Sequence, residues 1–217
     1  MARTLVEQLA DFAYDVKIES LPPEVVEDCK RVLLDSVGCA LAGLDFDKGR
    51  IGIRAAREMG GSGEATIFGA SYRTTPIAAA FANAESINAL DYDSVLPPGH
   101  VAPYVLPGAV ALGEERRVSG ARLIEAIAVA NEMSYRFGRS MDYLRNPTEN
   151  GMQVAAVLGF TSTVFGAAAA AGMILGQDRE VLANAIAIAG AITPVNSYRS
   201  WMNNVPNSSI KYTPPGP

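Results

Sequence analysis

Histidine is almost missing from this 217-residue chain: His100 stands alone, beside two cysteines and one tryptophan. Cys29 and Cys39 lie in one apolar run without CxxC or Cys/His spacing. That excludes a disulfide framework and a thiolate metal site, and both read as small core hydrophobes in a reducing compartment. No block of like charge and no basic stripe accompanies the net charge of -5, so the chain lacks an electrostatic footprint for nucleic acid. Met1 to Asp15 is amphipathic and acidic, without the basic and apolar regions of a secretion signal, and a cytoplasmic location is expected. GxGxxG, P-loop, GxSxG and HExxH motifs are all missing, and the seven methionines are scattered as core filler.

Charge is also missing from Gly151 to Gly176, a run long enough to cross a bilayer. It is rich in Ala and Gly, carries Gln153, Thr161, Ser162 and Thr163, and has neither a flanking Lys/Arg cluster nor an aromatic belt. With the second uncharged run, Val181 to Tyr198, it reads as a buried helical hairpin, and no membrane partner is expected.

What the chain does have is 49% hydrophobic and 19% charged residues, arranged with helical spacing. The fold class is all-α, a multi-helix bundle forming one domain over 1–217, with at most a small β excursion near 63–75. Thr4 caps a first helix, and Pro23-Glu24 opens a second that runs to about Ala42 with Val25, Cys29, Val32, Leu33, Val37, Ala40 and Leu41 inward. Further helices are predicted at about 47–59, 76–90, 104–115, 119–139, 152–175 and 179–192, whereas 91–103, with Pro97-Pro98-Gly99, reads as a loop. Small-residue helices of this kind need many partners to exclude water, so the Ala/Gly-rich hairpin is expected to be covered by another copy or another chain.

The loop is where chemistry could sit. His100, Asp91 and Asp93 fall within ten residues on non-helical backbone, and a carboxylate beside an imidazole orients the ring for proton transfer. The same three residues also suit a solvated surface loop, and Asp91 could simply terminate a helix. Lys211, among Ser208, Ser209 and Tyr212, could hold an anion or lie in solvent. Glu132, inside an apolar helix, reads as the solvent-facing residue of its turn.

Several segments, taken in order, resemble one family. Leu21 to Val26 followed by Leu33 to Gly43 is similar to the opening LPxEVV…LLDxxGCxLAG of the MmgE/PrpD family, which includes 2-methylcitrate dehydratase, cis-aconitate decarboxylase and iminodisuccinate epimerase. Asn83 to Val95 resembles its NGxxxHxLDFDDT. His100 with Pro103, Leu106, Pro107 and Ala111 is similar to its HPSxxxxPAxLA, and Ser119 to Gly138 to its SGxxLxxAxxxGYEVxxRIG. Gly159 to Leu175 and Asn184 to Gly190 continue the likeness, which covers essentially the whole chain as the N-terminal half of the family's large helical domain.

The resemblance implies a helical scaffold, oligomeric assembly, no metal or organic cofactor, and a site closed by a smaller lid that lies outside this chain. It implies Asp91 and His100 as catalytic residues and Lys211, Asp93 and Ser94 as substrate-binding ones. The chemistry it implies is proton abstraction or return beside a carboxylate of a small, polycarboxylate-type molecule, by dehydration, decarboxylation or epimerisation. Asn88 stands where the motif has histidine, Ser94 where it has its last aspartate, and Val95 where it has threonine. The chain is therefore expected to be one subunit of a two-chain lyase or isomerase, with a second polypeptide resembling the family's C-terminal half. A non-catalytic scaffold or binding subunit and a truncated gene are the alternatives.

Overall fold

The structure, a computed structural model, describes residues 3–96, 99–140, 146–149, 151–153 and 159–193. Helix α1 (Leu5–Asp15) starts as its sequence requires: the Thr4 hydroxyl accepts from the Glu7 backbone N–H at 3.4 Å, and the Glu7 carboxylate accepts from the Thr4 N–H at 2.6 Å. A single 3₁₀ turn at Ile18–Ser20 leads to α2 (Pro23–Gly43), which begins on proline, and α3 (Asp47–Met59) ends at Gly60 with φ +68°. Strands β1 (Ala65–Thr66) and β2 (Arg73–Thr74) form the expected small antiparallel excursion. Helix α4 (Pro76–Ile87) is capped by Thr75, and α5 (Ala102–Arg116), α6 (Gly120–Ser140), α7 (Thr163–Ile174) and α8 (Arg179–Ile192) complete the bundle.

The mainly helical fold is as expected, with differences that have local causes. Two further antiparallel hairpins accompany the one expected near 63–75: β3 (Val95–Leu96) with β4 (Gly99–His100), and β5 (Asn146–Thr148) with β6 (Gly151–Gln153). The helix expected from residue 152 instead begins at Thr163, after a 3₁₀ turn at Gly159–Ser162, because glycines at 151 and 159 offer little helical propensity. The uncharged run is thereby broken, and among the described residues no helix is long and apolar enough to cross a membrane. Leu41 lies about 120° round α2 from Cys29 and is exposed, while Ser36 and Cys39 take the buried side.

The main core joins α5, α6 and α7 through Val105, Leu106, Ile127, Met133, Ala170 and Met173. Helix α6 packs along α7 with Gly166 against the Ala130 backbone, a contact that leaves no room for a Cβ. A second core of Ala56, Ile67, Ala78, Ala79, Ala82 and Ala111 joins α3, α4 and α5. Buried Asn83 ties the excursion to α4: its Oδ1 accepts from the Phe68 N–H and its Nδ2 donates to the Thr66 carbonyl, both at 2.9 Å. Helix α7 is largely enclosed by α5, α6 and α8, and the exposed large apolar residues of the hairpin are Leu175 at the end of α7 and Val181, Ile188 and Ile192 on α8.

Arg122 and Glu125 were not singled out in the sequence, yet they knit three elements. Arg122 donates from Nε and Nη2 to the Met173 carbonyl at the end of α7, at 3.1 and 2.7 Å, and from Nη1 to Glu125 Oε2 at 2.8 Å. Glu125 Oε1 accepts from the Ile18 N–H at 3.0 Å, which fixes the 3₁₀ turn to α6. Glu132, as expected, faces solvent and pairs with Arg136 one turn on.

Candidate active site

Helix α4 stops at Ile87, where Asn88 caps it by donating its N–H to the Ala84 carbonyl. The chain then turns sharply at Asp91, whose φ of +53° is a left-handed conformation that aspartate adopts more readily than most residues. The turn sends Asp93 inward and leads into β3. In the β3–β4 hairpin His100 pairs with Val95, which brings the ring back onto the residues just before the strand. Helix α5 starts two residues later, its buried Val101 and Ala102 securing the end of the hairpin.

The result is a cluster built from one short stretch of chain. His100 Nδ1 lies 2.9 Å from Asp93 Oδ2, and His100 Nε2 lies 3.1 Å from Asp91 Oδ1. Of these two contacts, the one to Asp93 has hydrogen-bond alignment, whereas Asp91 stands beside Nε2 at ion-pair distance. The Asp93 side chain is fully enclosed, whereas His100 and Asp91 keep 14% and 28% of their side-chain surface, so access is from the Asp91 side. Asp93 Oδ1 accepts from Asn88 Nδ2 at 2.8 Å, and Asn88 Oδ1 accepts from Lys48 Nζ at 2.8 Å. Lys48, in the first turn of α3, also lies 3.6 Å from Glu85 Oε2. Behind the cluster, α2 presents Cys39, whose thiol is pushed up by burial and by the carboxylates of Asp35 and Asp93.

Protonation follows from this connectivity. Asp93 ionised and accepting from Nδ1–H leaves Nε2 as the nitrogen that gains or loses a proton. With Asp91 3.1 Å from that nitrogen, an imidazole and a carboxyl group share one side of the site, which is the equipment of a general acid–base catalyst. One ligand atom each from Asp91, Asp93 and His100 lie within 4.8 Å of one another, so among the described residues these are the ones that could hold a metal ion.

The structure therefore brings together Asp91, Asp93 and His100, three of the residues singled out in the sequence. Ser94 is half-buried at the start of the hairpin, and Lys211 lies outside the described residues. Sequence reasoning missed Lys48 and the part played by Asn88. Asn88 could have been flagged as a polar side chain closing an apolar helix three residues before Asp91; Lys48, forty positions upstream of it, carried no local signal.

The chain is similar in sequence to several cis-aconitate decarboxylases. The human cis-aconitate decarboxylase is 28% identical over 203 residues, covering 88% of this chain and 41% of that protein. The Aspergillus terreus cis-aconitate decarboxylase is 27% identical over 192 residues, covering 85% and 38%, and the mouse enzyme 26% over 199, covering 88% and 40%. The chain thus spans about two fifths of the length of these relatives. The family model described as the MmgE/PrpD N-terminal domain matches residues 7–216, and the chain belongs to that family.

Proposed function

We propose that this chain supplies the acid–base half of a lyase or isomerase site that moves a proton beside a carboxylate on a small carboxylic acid, without a metal or organic cofactor. The observation that carries the reading is the His100 ring held by Asp93 at Nδ1 with Asp91 beside Nε2. In a decarboxylation like that named for the relatives, the C–C bond to the departing carboxylate breaks heterolytically and carbon dioxide leaves. The electron pair stays on carbon, and the product forms when that carbon is protonated. His100 Nε2, or Asp91 through it, is the donor in this scheme; in a dehydration or epimerisation the same nitrogen takes the proton first. Asp93 acts through the ring and not on the substrate, and Lys211 and Ser94 would contact the substrate's carboxylates.

The cluster opens toward one side, and among the described residues large apolar side chains elsewhere are exposed: Ile77 is 80% exposed and Leu34 and Ile192 74%. Both features support a heteromeric assembly in which a second polypeptide, resembling the family's C-terminal half, closes the site. The two buried free thiols suit a reducing cytoplasm.

The test is co-expression with the neighbouring reading frame, co-purification, and incubation of the assembly with cis-aconitate and other small polycarboxylates, followed by proton NMR of the products. Turnover that disappears in His100→Ala is expected. Activity unchanged by that substitution, or a stable monomer with no such partner gene, would sink the proposal.

A further inference from the structure

His100 is oriented from a distance, and the chain of groups that does so can be followed atom by atom. An ammonium group only donates, so the Asn88 atom 2.8 Å from Lys48 Nζ is the carbonyl oxygen. That fixes the amide, and the atom 2.8 Å from Asp93 Oδ1 is its NH₂ group. Asp93 receives a donor at Oδ1, which holds the carboxyl group in place with Oδ2 facing the ring's Nδ1 at 2.9 Å. Each group is oriented by the one before it, from α3 through the end of α4 into the hairpin. Glu85, 3.6 Å from the Lys48 ammonium, steadies the outer end. Asn88 and Asp93 are buried, so water does not replace either contact cheaply.

We infer that Lys48 and Asn88 are positioning residues, forming a Lys48–Asn88–Asp93 relay that locks His100 in its Nδ1–H tautomer and so presents Nε2 as the working nitrogen. The inference deepens the acid–base reading above and rests on it for its chemical purpose, though not for its geometry. It also gives a use to Asn88, which occupies the place of a histidine in the family motif: an amide held by an ammonium cannot invert its polarity with pH, whereas an imidazole can.

Because His100 is the chain's one histidine, imidazole ¹⁵N–¹H correlation spectra of the full ¹⁵N-labelled chain contain one ring, with no assignment problem. At a pH where that ring is neutral, the Nδ1–H form is expected to exceed Nε2–H by about threefold to tenfold, because the aligned hydrogen bond to Asp93 outweighs the opposing pull of Asp91, 3.1 Å from Nε2. Asn88→Leu keeps the side chain's approximate size and abolishes both the donor to Asp93 and the acceptor for Lys48. It should lower the ratio of the two forms by about threefold or more. Lys48→Met, at a side chain 32% exposed and hence tolerant of change, should shift the ratio in the same direction, and Lys48→Arg should restore it. Circular dichroism checks that each variant is folded; if Asn88→Leu is not, the Lys48 pair decides the matter. A ratio identical in all folded variants would overturn the relay, even if His100→Ala abolishes turnover. A ratio that responds while no carboxylic acid is ever turned over would leave the relay standing and remove the catalytic reading.

Discussion

Arg122→Met should be among the more damaging single changes outside the site. The substitution keeps much of the side chain's apolar stem but removes three hydrogen bonds, two to the Met173 carbonyl and one to Glu125. Glu125, whose side chain is only 9% exposed, would keep its charge and the Ile18 N–H but lose its counter-ion. Breaking a buried pair from one side costs about 3–5 kcal/mol. Here the Arg122 side chain is 27% exposed, so water reaches the gap and softens the penalty, to roughly 2–3 kcal/mol. For a chain of this size that is a fall of roughly 5–10 °C in Tm. Urea denaturation followed by circular dichroism measures it, with Glu125→Leu and the double variant completing a cycle. The double variant should be more stable than the sum of the singles predicts, by at least about 1 kcal/mol, because no charge is then stranded. A loss below about 1 kcal/mol for Arg122→Met, together with additivity in the cycle, would refute the idea that this pair holds the 3₁₀ turn and α7 to α6.

Two further outcomes can be checked on the same purified chain. Asn83→Ala strands the Phe68 N–H and the Thr66 carbonyl in the core, and should cost about 2–4 kcal/mol with faster amide exchange at Phe68; native-like protection there would contradict the bonding described. Burial pushes the Cys29 thiol up to about 11, so its labelling by iodoacetamide at pH 8 should be about 100-fold slower than in urea-unfolded chain and should accelerate as pH rises; labelling at the unfolded rate would mean that Cys29 is not enclosed.

The helices were legible because their signals are local. Thr4 and Glu7 face each other across one turn, Pro23 and Pro76 stand at helix starts, and Gly60 follows a helix end, and each does in the structure what its neighbours in sequence imply. Asp91, Asp93 and His100 were legible for the same reason, being close along the chain. What could not be read depends on encounters between distant segments. Lys48 meets Asn88 only because α3 packs on α4, and Arg122 meets Met173 only because α6 packs on α7. The late start of α7 was hidden differently: an unbroken apolar composition from residue 151 suits strand, turn or helix, and glycine placement had to arbitrate.

The pairing of Val95 with His100 has a consequence for how this segment tolerates insertion and deletion. Side chains alternate sides along a strand, so a register slip by one position would turn the imidazole to the opposite face of the ribbon. One residue gained or lost between Leu96 and Gly99 would therefore separate the ring from Asp93 while leaving every acid, base and amide of the site in the sequence. In this family, a chain that keeps all the motif letters but changes the length of that connection would be a spelling match without the chemistry.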